Sequence, residues 1–147
     1  MSTLLSLQAP DESNEFDQVY PFETSDTISL YKKGSFYGLL RNGQVLTKPI
    51  YTPDVRIIND KYAVVRYFRN IPFYNNGVII DIETGKELVT GFNAYFDHKN
   101  ACIAFRVDGA NSSKRWGIFS ITEGKLIVEP IISPTYLHQY IDSCFLA

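Results

Sequence analysis

The feature that most constrains the fold of this sequence is a motif that recurs at a nearly constant interval. The clearest copy spans residues 116–130, in which a turn joins two apolar runs and a proline ends the second run. Residues 37–49 and 76–89 carry degenerate copies, and the opening glycines, Gly38, Gly77 and Gly117, are spaced by 39 and 40 residues. Such a period is typical of repeat proteins, in which each unit buries its apolar face against a neighbour.

Each copy of the motif predicts a β-hairpin, because the apolar runs are short and rich in β-branched and aromatic residues. Asn42-Gly43 is the sequence signature of a type I′ turn, in which both residues take positive φ. Residues 83–86 and 122–125 predict longer turns with a glycine in the left-handed conformation. Pro49 and Pro130 cannot donate a ladder hydrogen bond, so each is expected to end its strand.

Each hairpin is preceded by an aromatic-bearing connection, one strand and a loop of variable length. This pattern predicts three strands per unit, three units, and a closing strand over residues 141–146. We therefore expect an all-β fold, an antiparallel meander of about nine to ten strands built from three tandem three-stranded repeats. Residues 16–147 are predicted to form a single β domain, and residues 1–15 an N-terminal arm.

The third copy carries a resemblance to a known family. Trp116-Gly117, followed by Gly124-Lys125 and then Pro130, resembles the WG-repeat family. Tyr37 and Asn76 replace the tryptophan in the other two copies, so the chain has three degenerate copies. The resemblance implies a β-rich repeat scaffold of a kind found in many bacterial proteins, usually without assigned chemistry. Because the three slots differ, we interpret Trp116 as a structural anchor of the third unit.

The net charge and the apolar segments of the sequence limit the kinds of partner and the cellular compartment that we expect. The formal net charge of −2 gives no overall attraction to nucleic acid or to an anionic membrane, and a mildly acidic surface suits a basic protein partner. No apolar run of about 18 residues occurs, and the N-terminus lacks the pattern of a secretory signal. We therefore expect a cytoplasmic protein, with Cys102 and Cys144 as buried thiols.

The sequence predicts no enzymatic activity. It lacks a phosphate-binding glycine loop, a nucleophile elbow, a metal-spaced histidine pair and a dinucleotide fingerprint. His98 and His138, the two histidines, lie 40 residues apart in corresponding connections, which favours a coincidence of the repeat. We predict no catalytic, cofactor-binding or metal-binding residue, and no cofactor.

The copies differ most in the loop that leads into each hairpin, which is short in the first copy and long in the second (67–76) and third (107–115). Insertions at equivalent repeat positions project from one side, which we call the long-loop face. Aromatic and arginine side chains of the kind enriched at interfaces lie in the second loop. The predicted partner-binding residues are Arg66, Tyr67, Phe68, Arg69, Phe73 and Tyr74. The alternative, that these aromatics fold back onto their own sheet, stays open, and the third loop is expected to be solvated.

These features predict a non-enzymatic protein-binding module that acts through the long-loop face. A stoichiometric inhibitor, such as an immunity protein or a phage-encoded antagonist of a host defence system, would suit a small chain without recognisable chemistry. The alternative is a nucleic-acid-binding β module that uses the arginine and aromatic residues of loop 66–74, which the acidic balance of the chain makes less favoured. The oligomeric state stays open, and an exposed edge strand could pair two chains.

Overall fold

A computed structural model describes residues 16–69 and 72–142, and within them the chain forms three antiparallel sheets of four strands each. The first sheet holds β1 (Gln18–Phe22), β2 (Ser25–Lys33), β3 (Phe36–Arg41) and β4 (Gln44–Val45). The second holds β5 (Arg56–Ile58), β6 (Tyr62–Arg66), β7 (Gly77–Asp81) and β8 (Glu87–Phe92). The third holds β9 (Ala94–His98), β10 (Cys102–Asp108), β11 (Lys114–Ser120) and β12 (Lys125–Ile132). In every sheet the strands are adjacent in chain order.

Helical structure is minor in the part of the chain that the structure describes. It comprises two single 3₁₀ turns, η1 (Pro72–Tyr74) and η2 (Ala110–Ser112), in the two long loops, and one α-helix, α1 (Leu137–Asp142), after β12. The prediction of an all-β fold is confirmed in this broad sense. Among the described residues, no helix has the length and apolar character needed to cross a membrane.

The predicted strand number was too low. Residues 16–69 and 72–142 contain twelve strands, four in each sheet, where nine to ten strands in three-stranded units were expected. The difference lies in the aromatic-bearing connections, because those at 16–22 and 92–96 largely form the strands β1 and β9. A connection that runs beside a strand satisfies its backbone donors and acceptors by pairing with it, and its aromatic residues suit a strand.

The predicted closing strand at 141–146 is wrong where it can be compared. Ile141 and Asp142 lie in α1, and residues 143–146, like Cys144 and the predicted arm at 1–15, fall outside the described residues. Pro134 interrupts the extended chain after β12, and His138 Nε2 lies 3.3 Å from the Asp142 carboxylate one helical turn later. The segment still contributes to the core, since Ile141 is buried together with Cys102 and Ile132.

The predicted turn conformations are confirmed. Asn42 and Gly43 have φ of 52° and 80°, as a type I′ turn requires. Gly85 and Gly124, in the two longer turns, have φ of 78° and 70°. Glycine tolerates this left-handed region because it has no Cβ.

The middle sheet is buried on both faces. Along β6, Tyr62 and Val64 belong to a core cluster shared with the third sheet, whereas Ala63 and Val65 belong to a cluster shared with the first sheet. Alternate side chains of a strand point to opposite faces, so a strand covered on both sides carries an uninterrupted apolar run. The three sheets are therefore held together mainly through the two faces of the second.

Candidate binding face

The two long loops meet through one asparagine. Asn75 Nδ2 donates a hydrogen bond to the backbone oxygen of Asp108 at 2.7 Å, and the Asp108 amide donates to Asn75 Oδ1 at 3.1 Å. These two bonds join the loop before β7 to the end of β10, although the residues are 33 positions apart in the chain. The loops thus form one continuous surface that spans the second and third sheets.

The Asp108 carboxylate makes a further set of contacts beside this junction. Its Oδ1 accepts from Arg106 Nε at 2.6 Å, and its Oδ2 accepts from Arg106 Nη2 at 3.0 Å and from Asn93 Nδ2 at 2.6 Å. The ammonium group of Lys114 lies 3.9 Å from Oδ2. The hydrogen bond from Arg106, with smaller contributions from Asn93 and Lys114, lowers the pKa of Asp108 below its ordinary value, against the opposing effect of burial.

We expect Asp108→Asn to destabilise the protein at pH 7 by about 2 kcal/mol, because it removes charge-assisted hydrogen bonds from a side chain that is only 15% exposed. Since the folded-state pKa is lowered, the carboxylate stabilises the fold above its unfolded-state pKa, about 4, and this contribution is lost as the pH falls through the folded-state value. Chemical denaturation at pH 7 and at about pH 2.5 should therefore show a gap between wild type and variant that closes in acid. The exposed Asp26→Asn is the control, and a gap of equal size at both pH values would contradict the assignment.

A cleft of about 400 Å³ opens where the loops meet. Phe73 and Tyr74 form one wall, and Gly109, Ser113 and Lys114 contribute to the other. The cleft therefore combines two aromatic rings with a hydroxyl and an ammonium group. Such a mixture of apolar surface and a few polar groups is common in binding sites.

The aromatic wall is held in an unusual backbone conformation. Phe73 and Tyr74 both have φ of 60°, and their side chains are 52% and 77% exposed. Positive φ costs a residue with a Cβ of order 1–3 kcal/mol, and such residues concentrate at functional sites. Asn111 and Ser112, across the cleft, also have positive φ. The chain thus holds two large aromatic side chains at the surface in a backbone conformation that is costly for them.

Two of the six predicted partner-binding residues, Arg66 and Tyr67, are partly buried and contact other parts of the fold. Arg66 donates from Nη1 to Asn76 Oδ1 at 2.9 Å and from Nη2 to the backbone oxygen of Asn93, and its Nε lies 3.4 Å from the Asp54 carboxylate. The Tyr67 hydroxyl donates to Glu87 at 2.6 Å. Both side chains are half-buried and serve the fold.

The other four lie at the surface, at the two ends of the loop. Phe73 and Tyr74 line the cleft. Arg69 is exposed and its guanidinium lies 4.8 Å from the centre of the Tyr67 ring. Phe68 is 46% exposed and packs edge-to-face on Phe36, with ring centres 4.8 Å apart.

Phe68 belongs to a second apolar surface that the sequence did not suggest. Its amide donates to the backbone oxygen of Ile50, and Phe36, Ile50 and Phe68 are all more than two-fifths exposed. We call these three residues the junction patch, because they lie where the first sheet meets the second. The adjacent tyrosines, Tyr51 and Tyr67, face Glu87 instead, as strand alternation requires.

Comparison with protein-family models, curated proteins and solved structures gives no significant match to this chain. The WG-repeat resemblance accordingly stays a prediction from the motif residues, and the binding face is argued from its geometry alone. Within residues 16–69 and 72–142, no group of three or more histidine, cysteine, aspartate or glutamate side chains is placed to hold a metal ion.

Sequence reasoning missed Asn75 and Asp108, which join the loops, and Asn93, which donates to the Asp108 carboxylate. Their roles depend on contacts between segments far apart in the chain, and small polar residues in loops give no distinctive pattern. The equivalent positions of the two insertions did place both loops on one side. The equivalent positions of the two insertions in the repeat therefore predicted which side carries the loops, but not which residues join them.

Proposed function

We propose that this chain is a non-enzymatic protein-binding module that engages its partner through the long-loop face. The observation that carries the proposal is the pair Phe73 and Tyr74, large aromatic side chains exposed at a cleft and held at positive φ. Buried aromatic anchors dominate the energetics of many protein interfaces. If these positions served only to turn the chain, glycine or asparagine would adopt the positive φ at a lower cost.

The loops are preorganised for this role. The two Asn75–Asp108 hydrogen bonds fix the position of one loop against the other. Binding then orders fewer side chains and loop segments, so more of the contact energy appears as affinity. The junction patch supplies a second apolar contact at the other end of the same loop.

We further propose that the three sheets are tandem copies of one WG-like unit. Gly38, Gly77 and Gly117 all lie on the third strand of their sheet, and the strand order is the same in each. In the slot before the glycine, Trp116 packs edge-to-face on Phe96, with ring centres 5.6 Å apart, while Asn76 hydrogen-bonds to Arg66 and to the Tyr67 carbonyl. Asn76, which takes the place of the tryptophan in the second copy, thus has polar partners for its side-chain amide.

The narrower role, a stoichiometric inhibitor such as an immunity protein or a phage-encoded antagonist, is one form of this proposal. It is supported by a face whose two loops are joined by hydrogen bonds and which could occlude a partner's site. The nucleic-acid alternative is weakened by the internal use of Arg66 and Arg106, both of which are paired with carboxylates.

We expect Phe73→Gly/Tyr74→Gly to abolish formation of a stoichiometric complex while leaving the free energy of unfolding unchanged or raised, because glycine relieves the left-handed backbone. The complex would be isolated by size-exclusion chromatography from a lysate of the native host and identified by mass spectrometry. The control is Tyr136→Ala, which removes another exposed aromatic side chain outside the loops. Equal complex formation by all three proteins would count against the proposal.

A further inference from the structure

Two tight turns of opposite character line the cleft between the long loops. One carries Phe73 and Tyr74, and the other carries Asn111 and Ser112. All four residues have positive φ, the backbone conformation of a type I′ turn. Consecutive pairs with positive φ elsewhere in the described residues consist of the polar residues and glycine that such turns favour, namely Asn42-Gly43, Asn59-Asp60 and Lys99-Asn100. The cleft therefore has an aromatic turn on one side and a polar turn on the other.

The residues that line the cleft carry one formal charge of each sign. Asp108 is the acidic residue and Lys114 the basic one, and the ammonium group lies 3.9 Å from Asp108 Oδ2. A charged ligand of either sign would be attracted by one of these groups and repelled by the other. The lining is thus best matched by a ligand without charge.

The hydrogen-bonding groups that remain in the cleft are rich in donors. Four lining side chains carry an amide or a hydroxyl that forms no hydrogen bond within residues 16–69 and 72–142, namely Tyr74, Asn111, Ser112 and Ser113. Each of them can donate, and the Lys114 ammonium can only donate. The Asp108 carboxylate, in contrast, already accepts three hydrogen bonds from neighbouring side chains. A ligand rich in acceptors therefore suits the cleft better than one rich in donors.

We infer that the part of the partner that enters this cleft is an uncharged, proline-rich segment in the polyproline II conformation. Its pyrrolidine rings lie against Phe73 and Tyr74, and its backbone carbonyls accept hydrogen bonds from Asn111 and Ser112. Proline has no N–H, so such a segment offers acceptors without backbone donors. Aromatic-lined grooves recognise these segments in several classes of binding domain, because the extended helix is already formed and loses little entropy on binding. This inference rests on the proposed function and specifies its partner.

A neutral saccharide and a nucleic acid match the same groups less well. Each sugar hydroxyl donates as well as accepts, so a bound sugar needs acceptors in the site. The carboxylate in the lining, that of Asp108, is already engaged by three donors. A phosphate backbone carries negative charge and would be repelled by the same carboxylate.

The test uses the full chain and three uncharged probes: capped decaproline, a capped decapeptide of alternating glycine and serine, and maltotriose. Amide chemical shifts give the location of binding, and isothermal titration calorimetry gives the affinity. We expect decaproline to shift resonances in residues 72–76 and 108–114. We expect it to bind about tenfold or more tightly than the glycine-serine peptide, because a flexible chain loses more entropy when it is ordered.

Asn111→Gly/Ser112→Gly should weaken decaproline binding by about fivefold, because it removes two donors while glycine keeps the left-handed turn. The matched control is Asn59→Gly/Asp60→Gly, the same change in a turn with φ of 53° and 51° that does not line the cleft. Equal affinity in the wild type and Asn111→Gly/Ser112→Gly, or no binding of decaproline at millimolar concentration, would overturn the inference. Tighter binding of maltotriose or of the glycine-serine peptide would also overturn it.

The two proposals can fail separately. If a protein complex is lost in Phe73→Gly/Tyr74→Gly but decaproline neither binds the cleft nor displaces the partner, the binding function stands and the proline-rich ligand does not. If no complex depends on Phe73 and Tyr74, the binding function itself fails, whatever the peptides show.

Discussion

Gly77→Ala is expected to destabilise the protein by about 3 kcal/mol, because there is no room for a methyl group at the start of β7. A Cβ at this position would lie 2.4 Å from the ring of Phe92 and 2.7 Å from its backbone oxygen. Phe92 is fully buried, so its ring has little freedom to move, and the carbonyl belongs to the paired strand β8. Thermal and chemical denaturation measure the loss.

Gly109→Ala provides the control for this substitution. Gly109 has an extended backbone with φ of −128°, and its Cβ would meet no atom closer than 3.6 Å. The free energy of unfolding should therefore change by no more than about 0.5 kcal/mol. If the two variants melted at the same temperature, the close packing assigned to Gly77 would be incorrect. Gly117→Ala, with a Cβ 2.4 Å from Phe105, should behave like Gly77→Ala.

Glu87→Leu should have a comparable effect, about 3 kcal/mol, through hydrogen bonding rather than packing. The Glu87 carboxylate accepts hydrogen bonds from the hydroxyls of Tyr51 and Tyr67, each at 2.6 Å. The two rings stack with centres 5.7 Å apart, and backbone bridges from Tyr51 to Tyr37 and to Tyr67 join the first sheet to the second. The substitution leaves both hydroxyls without their acceptor, one of them on a fully buried residue.

Replacing Tyr51 and Tyr67 by phenylalanine distinguishes the cost of unsatisfied hydroxyl groups from a simple loss of packing. In Glu87→Leu/Tyr51→Phe/Tyr67→Phe the unsatisfied hydroxyls are gone, so most of the stability should return. The exposed Glu83→Leu should change little, because its carboxylate accepts no hydrogen bond from the described residues. A triple variant no more stable than Glu87→Leu would contradict the assigned role.

The same tyrosines predict how stability responds to alkali. Burial, followed by the hydrogen bond and charge of Glu87, raises the pKa of both Tyr51 and Tyr67 above the ordinary value. A raised folded-state pKa stabilises the fold below the unfolded-state value, about 10, and this contribution is lost as the pH rises further. The stability of the wild type should therefore fall above about pH 10 more steeply than that of the triple variant.

The sequence determined many local features of this protein, although Pro130 does not end its strand as predicted, since β12 continues to Ile132. Asn42-Gly43 predicted its turn, because these two residues tolerate positive φ better than most, and the short apolar runs predicted the strands of the hairpins. The spacing of Gly38, Gly77 and Gly117 predicted corresponding strands, and each glycine lies on the third strand of its sheet. The insertions in two copies located the face that carries the loops.

Tertiary structure decided what depends on residues far apart in the chain. Arg66 and Tyr67 were predicted as interface residues, and the tertiary structure adds contacts that the sequence did not suggest, with Asp54, Asn93 and Glu87. Phe73 and Tyr74 lie at the surface, in a loop that Asn75 joins to Asp108 on the next sheet. Composition does not distinguish an aromatic side chain that packs against buried partners from one that stays exposed, because the hydrophobic effect is non-directional. The packing of the whole chain decides which of the two occurs.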